Sequence, residues 1–356
     1  MKSFSDYIID KNAIKHNLVE YKKLENKSKI CAVVKADAYG MGIENIVDAV
    51  DGGVDYYAVA CFKEAMHLRT KTKKPILILN FVKTDTLNCC TENSIRVSVS
   101  NFNEAKQIKK YCNQNIKIHL AINTGMNRIG FSCLTEFEKT LKYLKLQKSI
   151  IIEGIFTHLY NANNVVDTKK QFCIFMQYVN MLSKYFDVSN IIKHVASSLP
   201  AIKYPGLRLN MVRLGILLYG KCINKNIDIK PVLQIKSKIT SICKIKKGES
   251  VGYGKNFVAE KPMKVATIPL GYADGIFRRY SKKGKVFVNG KECKILGNIC
   301  MDMFMIDVSN TKTKVGDNVE ILGEHITLEE FAKNAGTIEY EVLTNIKKRR
   351  FNVKSA

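Results

Sequence analysis

A lysine placed at the end of a predicted strand is the first residue in this sequence whose chemistry stands out. Lys35 directly follows the apolar run at 30–34, and a glycine-containing turn comes after it. Partial desolvation at such a place disfavours the charged ammonium, and a neutral amine is what Schiff-base chemistry requires. A lysine that packs its stem at the strand end and keeps its ammonium in water fits the same pattern, so Lys35 alone leaves both interpretations open.

Three further residues with reactive side chains follow predicted strands or turns. Arg128 and His158 each lie just after an apolar run, and Tyr272 lies in the glycine-rich segment 268–275. A guanidinium suits a planar carboxylate because it can donate two parallel hydrogen bonds. Each residue also has a structural alternative: a surface arginine, a hydrogen-bonded core histidine and an exposed turn tyrosine.

Strand-like apolar runs alternate with helical stretches over the first two thirds of the chain. The predicted strands are 30–34, 56–60, 75–79, 95–99, 116–122, 150–156, 191–195 and 211–215. Continuous apolar strands separated by helices indicate parallel βαβ units, and about eight such units favour a closed (β/α)8 barrel. An open doubly wound sheet is the alternative, although no GxGxxG turn follows the first strand.

The character of the sequence changes near residues 221–230, after which short strand-like runs follow one another with glycine-containing turns. The predicted strands there are 232–238, 264–270, 285–288 and 303–308, with one helix at 328–334. We therefore predict an α/β protein in which a barrel domain, residues 1–225, precedes a smaller, mostly β domain, residues 226–356.

Composition narrows the functional classes. The 356 residues carry a formal charge of +25, but lysines are spread along the chain and only Lys347–Arg350 cluster, so we expect a solvated surface and no specific nucleic-acid site. The eleven cysteines include no CxxC pair, which favours a reducing cytoplasm over a disulfide framework and predicts no metal site. No apolar run is long enough for a membrane span, and the first residues do not resemble a signal peptide.

The segment Ala32 to Gly42, which contains VVK and AYG, resembles the cofactor-lysine motif of bacterial alanine racemases. The resemblance extends over about Tyr7 to Phe351 with the motifs in the family order. It implies a pyridoxal 5'-phosphate enzyme in which Lys35 forms the Schiff base. By the same resemblance, the hydroxyl of Tyr39 reaches the cofactor phosphate.

The remaining barrel motifs carry further implied roles. The segment TGMNRIG resembles a family motif whose arginine, here Arg128, contacts the cofactor phenolic oxygen and the substrate carboxylate. EGIFTH implies that His158 lies beside the pyridine ring, where it orients the tyrosine base and contacts the ring-binding arginine. The segments 194–198 and 210–220 imply that Arg213 donates to the pyridine nitrogen. The implied phosphate ligands are the Ser198 side chain and the backbone N–H groups of Gly215 and Ile216.

The second domain supplies the opposite proton carrier in this resemblance. The segment GYADG implies that Tyr272 is the second base, and CMD implies that the backbone N–H of Met301 binds the substrate carboxylate. Inverting one carbon requires proton carriers on opposite faces, here Lys35 and Tyr272. In the family the tyrosine comes from the partner subunit, which implies a head-to-tail homodimer with shared sites.

Five positions depart from the family pattern. Many members have a carbamylated lysine where this chain has Ala121, so Arg128 must be braced otherwise, by Asn123 or by a bound anion. The other substitutions are Asn123 for aspartate, Phe156 for tyrosine, Ser197 for asparagine and Lys348 for a phosphate-binding tyrosine.

We predict racemisation of L- and D-alanine by a two-base mechanism, supplying D-alanine for peptidoglycan. The departures keep racemisation of serine or another amino acid open as an alternative substrate choice. A barrel-type pyridoxal-phosphate decarboxylase or aldolase, and a non-enzymatic carrier of the cofactor, are weaker alternatives. A decarboxylase favours an acidic partner for the ring nitrogen over an arginine, and a carrier leaves Tyr272 and Met301 unexplained.

Overall fold

Eight parallel strands form the first sheet of the computed structural model, which describes residues 3–24, 27–221 and 226–355. Numbered along the chain, these strands are β2 (Lys29–Val33), β3 (Tyr56–Val59), β4 (Ile76–Ile78), β5 (Ile95–Val99), β6 (Ile116–Ala121), β7 (Ile150–Phe156), β8 (Ile192–His194) and β9 (Met211–Leu214). Their order is β8-β7-β6-β5-β4-β3-β2-β9. Most of their residues are buried, as expected for strands covered on both faces.

The two end strands of this sheet approach each other and nearly close it into a barrel. The Asn210 N–H donates to Lys193 O at 3.2 Å, and the Arg213 N–H donates to Ala196 O at 2.9 Å. The predicted barrel is therefore confirmed, and the open doubly wound alternative is wrong.

Helical segments follow most barrel strands. They are α1 (Lys11–Leu24), α2 (Lys35–Tyr39), α3 (Ile43–Val50), α4 (Phe62–Arg69), α5 (Leu87–Glu92), α6 (Phe102–Tyr111), α7 (Leu134–Lys145), α8 (Val165–Ser183) and α9 (Ser198–Lys203). Within the described ranges, no helix is both long enough and apolar enough to cross a membrane.

The second sheet has nine strands in the described residues and includes the first and the last strand along the chain. Its members are β1 (Ser5–Ile9), β10 (Leu233–Lys238), β11 (Ser241–Ile245), β12 (Met263–Ile268), β13 (Lys285–Val288), β14 (Lys291–Leu296), β15 (Phe304–Asp307), β16 (Asn318–Leu322) and β17 (Phe351–Ser355). Their order is β11-β12-β15-β14-β13-β16-β10-β1-β17. Two helices accompany them, α10 (Leu328–Asn334) and α11 (Glu339–Asn345).

Strand β1 corrects the predicted start of the barrel domain at residue 1. It pairs antiparallel with β10 and parallel with β17, so residues 5–9 lie in the second sheet. The sequence of this five-residue strand does not indicate which sheet it joins. Its short apolar pattern fits a strand of either sheet. The predicted change of domain at 225/226 adjoins residues 222–225, which lie outside the described residues.

Candidate active site

A cavity of about 230 Å³ lies at the carboxyl ends of the barrel strands. Its lining brings together four residues singled out from the sequence: Lys35, Arg128, His158 and Arg213. The charged side chains of this lining, within the described chain, are the three cations Lys35, Arg128 and Arg213. Such a cluster creates a positive potential that suits a phosphate or a carboxylate.

Lys35 follows β2 by two residues and is half-buried at the cavity wall. Burial lowers the pKa of its amine, and the charge of Arg128 lowers it further, while Glu64 acts in the opposite direction. Arg213 adds to the lowering. The prediction of a partly desolvated amine with weakened basicity at the end of this strand therefore agrees with its surroundings.

The turn after Lys35 has an uncommon backbone. Ala36, Asp37, Ala38 and Tyr39 all have φ between 51° and 56°, so α2 is a left-handed turn made of residues other than glycine. Each such residue costs about 1–2 kcal/mol relative to a right-handed conformation. Contacts with surrounding residues must offset this cost. Backbone strain of this kind is common at functional sites, which makes α2 a candidate part of one.

The left-handed turn places Tyr39 beside Tyr219 and Gly215. The Tyr39 ring stacks on Tyr219 with centroids 4.4 Å apart. A Cβ at Gly215 would lie 2.5 Å from the Tyr39 hydroxyl, so only glycine permits this approach. Packing against Tyr39 alone therefore requires glycine at position 215.

Ser198 lies at the same place but already has backbone partners. Its buried hydroxyl oxygen accepts hydrogen bonds from the N–H groups of Gly215 at 3.0 Å and Leu217 at 3.4 Å. The hydroxyl hydrogen stays available to donate, since both bonds use the oxygen lone pairs. Ile216, between these residues, is buried. The roles of Ser198, Gly215 and Ile216 toward phosphate stay predictions.

Arg213 is buried in β9 and is held by four hydrogen bonds. It donates to the backbone oxygens of Thr157, His194 and Val195 at 2.7, 2.8 and 3.1 Å. It also donates to His194 Nδ1 at 2.9 Å. Burial lowers the pKa of Arg213 to about 10, so the guanidinium remains charged at neutral pH.

A chain of buried groups extends from Arg213 through the barrel interior, and sequence reasoning missed it. His194 Nε2 lies 2.8 Å from His119 Nδ1, and His119 Nε2 lies 3.4 Å from Glu153 Oε2. Because the arginine can only donate, His194 Nδ1 must accept and its Nε2–H must donate to His119. His119 then donates to Glu153, which also accepts from Arg96 at 2.8 Å.

Both histidines of this chain are neutral, because burial lowers the pKa of each. Burial opposes ionisation of Glu153, yet hydrogen bonds from His119, Arg96 and Lys117 lower the pKa of its carboxyl below the usual range. A histidine inside an apolar strand, as in Ile118-His119-Leu120, was the available sequence signal. It gave no partner, because His194 is 75 residues away.

His158 lines the same cavity as Lys35, Arg128 and Arg213. Burial lowers its pKa to about 3, and Arg213, Arg128 and Lys35 contribute to the lowering. The imidazole is therefore neutral at physiological pH. The side-chain nitrogen that accepts a hydrogen bond from Arg213 belongs to His194. The roles of His158 toward the tyrosine base and toward Arg213 stay predictions.

Arg128 is exposed in the loop that follows β6. The Asn123 carboxamide serves this loop itself, since it donates to Asn127 Oδ1 and accepts from the N–H groups of Gly125 and Asn127, each at 3.0 Å. The predicted brace from Asn123 to Arg128 is therefore replaced by bonds within the loop. Ala121 is buried and lines the cavity beside Arg128.

The other departures from the family pattern have local partners. The Phe156 ring stacks on His194 with centroids 4.9 Å apart, and Arg213 lies over the same ring at 5.6 Å. Lys348 Nζ lies 3.6 Å from the Asp37 carboxylate in α2. The role of Lys348 toward a phosphate stays a prediction.

Tyr272 and Met301 lie together in the second domain, away from the lining of the Lys35 cavity. The Tyr272 N–H donates to Cys300 O at 3.1 Å, and the Ala273 N–H donates to Met301 O at 3.0 Å. The side chains are 41% and 54% exposed. The described residues that line the cavity all come from positions 35 to 213. A single chain therefore does not bring Tyr272 to Lys35.

Asp274 fixes the turn that carries Tyr272. It is fully buried and accepts from the Gly271 N–H at 2.9 Å, from Arg349 at 3.0 Å and from Arg350 at 2.8 Å. Two arginines of the basic cluster at 347–350 therefore have a structural role, because both donate to the buried Asp274 carboxylate. Sequence reasoning missed Asp274 as an anchor.

The donor set at the barrel mouth fits pyridoxal phosphate. Lys35 offers an amine with a lowered pKa, and Arg213 offers a buried, charged donor. Gly215 leaves open the space beside the Tyr39 hydroxyl that a Cβ would fill. These features match an anionic group with an aldehyde and a ring nitrogen better than they match a metal ion, because cations line the cavity.

Comparisons with known proteins cover nearly the whole chain. The family model for the N-terminal domain of alanine racemase matches residues 9–222, and that for its C-terminal domain matches residues 232–353. The curated alanine racemase of Clostridium tetani is 38% identical, with 96% of this chain and 92% of that protein covered.

Two solved structures show the same architecture. Alanine racemase from Acinetobacter baumannii is 30% identical with a TM-score of 0.90, covering 99% of this chain and 100% of that one. Alanine racemase from Bartonella henselae with covalently bound pyridoxal phosphate is 27% identical with a TM-score of 0.92, covering 99% and 100%.

Proposed function

The chain belongs to the alanine racemase family, and from this premise we propose how it inverts the Cα centre of alanine. Lys35 exchanges a proton on one face of the substrate, and Tyr272 of a second copy exchanges a proton on the other. The observation that carries the proposal is the division between a cationic barrel pocket with Lys35 and an exposed, separately anchored Tyr272. The family and its dependence on pyridoxal phosphate were both predicted from the motifs, and the comparisons confirm them.

Pyridoxal phosphate, when bound, withdraws electrons from the substrate amino group and so weakens the Cα–H bond. We propose that Lys35, Tyr39, Ser198, Gly215 and Ile216 hold its aldehyde and phosphate ends. Arg213 would donate to the ring nitrogen. Since Arg213 stays charged and can only donate, the ring nitrogen would accept and so would carry no proton. An unprotonated ring withdraws electrons less strongly, which suits a simple proton exchange at Cα.

Lys35 can exchange a proton because burial and its two cationic neighbours favour the neutral amine. Arg128, at the open side of the cavity, would bind the substrate carboxylate with its planar guanidinium. His158, neutral beside both arginines, would orient the incoming tyrosine. Each of these assignments places a donor or acceptor within one cavity.

The second face requires another copy of the chain. Tyr272 and Met301 are exposed on two adjacent segments joined by backbone hydrogen bonds, while the Lys35 cavity is lined by the barrel. A head-to-tail homodimer would place these segments at the partner's cavity and would cover both exposed side chains. We propose such a dimer, with two shared sites, in the cytoplasm, where it would supply D-alanine for peptidoglycan.

Solvent-deuterium exchange at Cα tests the reaction and the substrate together. Each of a panel of L-amino acids, including alanine and serine, is incubated with the cofactor-loaded protein in D₂O and followed by proton NMR and chiral chromatography. We expect loss of the Cα–H signal of alanine together with D-alanine that carries deuterium. Carbon dioxide release, or retention of the Cα–H signal for every amino acid, would contradict the proposal.

A further inference from the structure

The left-handed α2 turn is attached at its start to the neighbouring corner of the barrel. The Ala36 N–H, directly after Lys35, donates to Glu64 Oε1 at 2.7 Å. The other oxygen, Oε2, accepts from the Ala60 N–H at 2.8 Å. A single carboxylate therefore joins the segments that follow β2 and β3.

These two segments belong to adjacent strands and to the same cavity. Strands β2 and β3 pair in parallel, with Val33 opposite Ala58. Lys35 and Ala60 both line the cavity. Glu64 lies in the first turn of α4, where its position is fixed by the helix. The Glu64 carboxylate, fixed by its helix, thus holds the left-handed α2 backbone, whose conformation is unfavourable by itself.

We propose that Glu64 is a positioning residue that holds the backbone after Lys35 so that the lysine amine stays at its place in the cavity. The proposal rests on the proposed role of Lys35 and adds a residue that no motif indicated. Its negative charge also favours the protonated form of Lys35, against burial and Arg128. Glu64 therefore acts on both the place and the basicity of the amine.

Glu104 provides a matched control within the same barrel. It lies in the first turn of α6, and its Oε2 accepts from the Ser100 N–H at 2.6 Å, as Glu64 Oε2 does from Ala60. Its other oxygen accepts from the Asn101 side chain within the same corner. Glu104→Gln removes an equivalent helix-start carboxylate that lies outside the Lys35 cavity.

The first measurement is hydrogen–deuterium exchange of the peptide covering 34–40 in protein freed of cofactor. Glu64→Gln keeps one oxygen acceptor but cannot accept two backbone N–H groups through both terminal atoms, so we expect exchange in this peptide to be about tenfold faster. Glu104→Gln should leave it unchanged. Because no cofactor is present, this result does not depend on racemase activity.

The second measurement is the pH dependence of Lys35 modification by an amine reagent in the same cofactor-free protein, followed by mass spectrometry. Loss of the Glu64 charge should move the midpoint to lower pH, since the protonated amine loses a favourable neighbour. Glu64→Asp keeps the charge but shortens the side chain. It should therefore accelerate exchange with a smaller change of midpoint, and it serves if Glu64→Gln folds poorly.

The third measurement is racemisation by the cofactor-loaded variants. We expect kcat to fall about fivefold to tenfold for Glu64→Gln with KM within about twofold, because the defect lies in placement of the amine. Unchanged exchange, or faster exchange with unchanged kcat, would overturn the proposal. If Lys35→Ala retained activity, the proposed function would fail, whereas the exchange results would still report on Glu64.

Discussion

The barrel pocket around Lys35 and the second-domain turn around Tyr272 are both supported by buried hydrogen bonds, but they differ in the exposure of their reactive side chains. In the pocket, Arg213 and His194 are buried and bonded to each other and to the backbone. In the turn, the backbone is fixed by buried Asp274, while the Tyr272 side chain stays exposed. Rigid support beneath an exposed reactive group indicates that its complement lies on another surface.

This difference separates the residues that one chain brings into a single cavity from those that, in the proposed dimer, a second copy would supply. The barrel contributes the cations and the amine to a single cavity. The second domain presents a phenol and the adjacent Met301 at a distance from that cavity. The comparison therefore predicts that variants of the two regions will fail in different ways and will complement each other.

The largest effect is expected for Lys35→Ala. Racemisation should fall by about 10⁴-fold or more, because the variant loses both the covalent attachment point and one proton carrier. The protein should also lose its absorbance near ~420 nm after dialysis. Borohydride reduction followed by peptide mapping checks the attachment, and cofactor that stays fixed in the variant would remove Lys35 from this role.

Tyr272→Phe should come next, with racemisation lowered by about 10²–10⁴-fold and cofactor binding retained. Mixing this variant with Lys35→Ala should restore activity, since one of the two shared sites in a mixed dimer would carry both intact groups. Tyr111→Phe, which changes an exposed tyrosine at the end of α6, is the control and should keep most of the activity. No recovery despite proven subunit exchange would argue against the shared site.

The smallest effect is expected from the buried chain behind Arg213, and it concerns stability. His119, His194 and His158 have lowered pKa values when folded, so the unfolded chain binds more protons than the folded one below about pH 6.5. The free energy of unfolding should therefore decrease as pH falls below about 6.5, by up to about 1.4 kcal/mol per pH unit for His158, and in the same direction for His119 and His194.

His119→Leu tests this sign directly by urea unfolding at several pH values. It should lower the free energy of unfolding at pH 7.5 by about 2–4 kcal/mol, because Glu153 and the His194 Nε2–H lose their partner. The free energy of unfolding of this variant should also depend less steeply on pH, because one of the titrating histidines is gone. Ser98→Ala removes a single neutral bond to Ile78 O in the next strand and should cost about 1 kcal/mol with an unchanged slope.

Strand and motif patterns were enough to place the main elements and the barrel residues of the site. The predicted strand at 95–99 coincides with β5, and the predicted helix at 328–334 coincides with α10. Period and length carry this information locally, because buried parallel strands are continuous apolar runs. Lys35, Arg128, His158 and Arg213 could be placed together because each follows or lies in a barrel strand whose carboxyl end faces the same mouth.

Sequence patterns were enough to predict the barrel and the reactive residues at the ends of its strands, since these depend on short-range periodicity. The structure was needed to show that β1 joins the second sheet, that Arg213 bonds His194 and that Glu64 accepts from the Ala36 N–H. These contacts join residues far apart in the chain through single side-chain atoms. Their partners are selected by how whole elements pack against one another, and the apolar periodicity of one element does not identify the partner of a single polar atom.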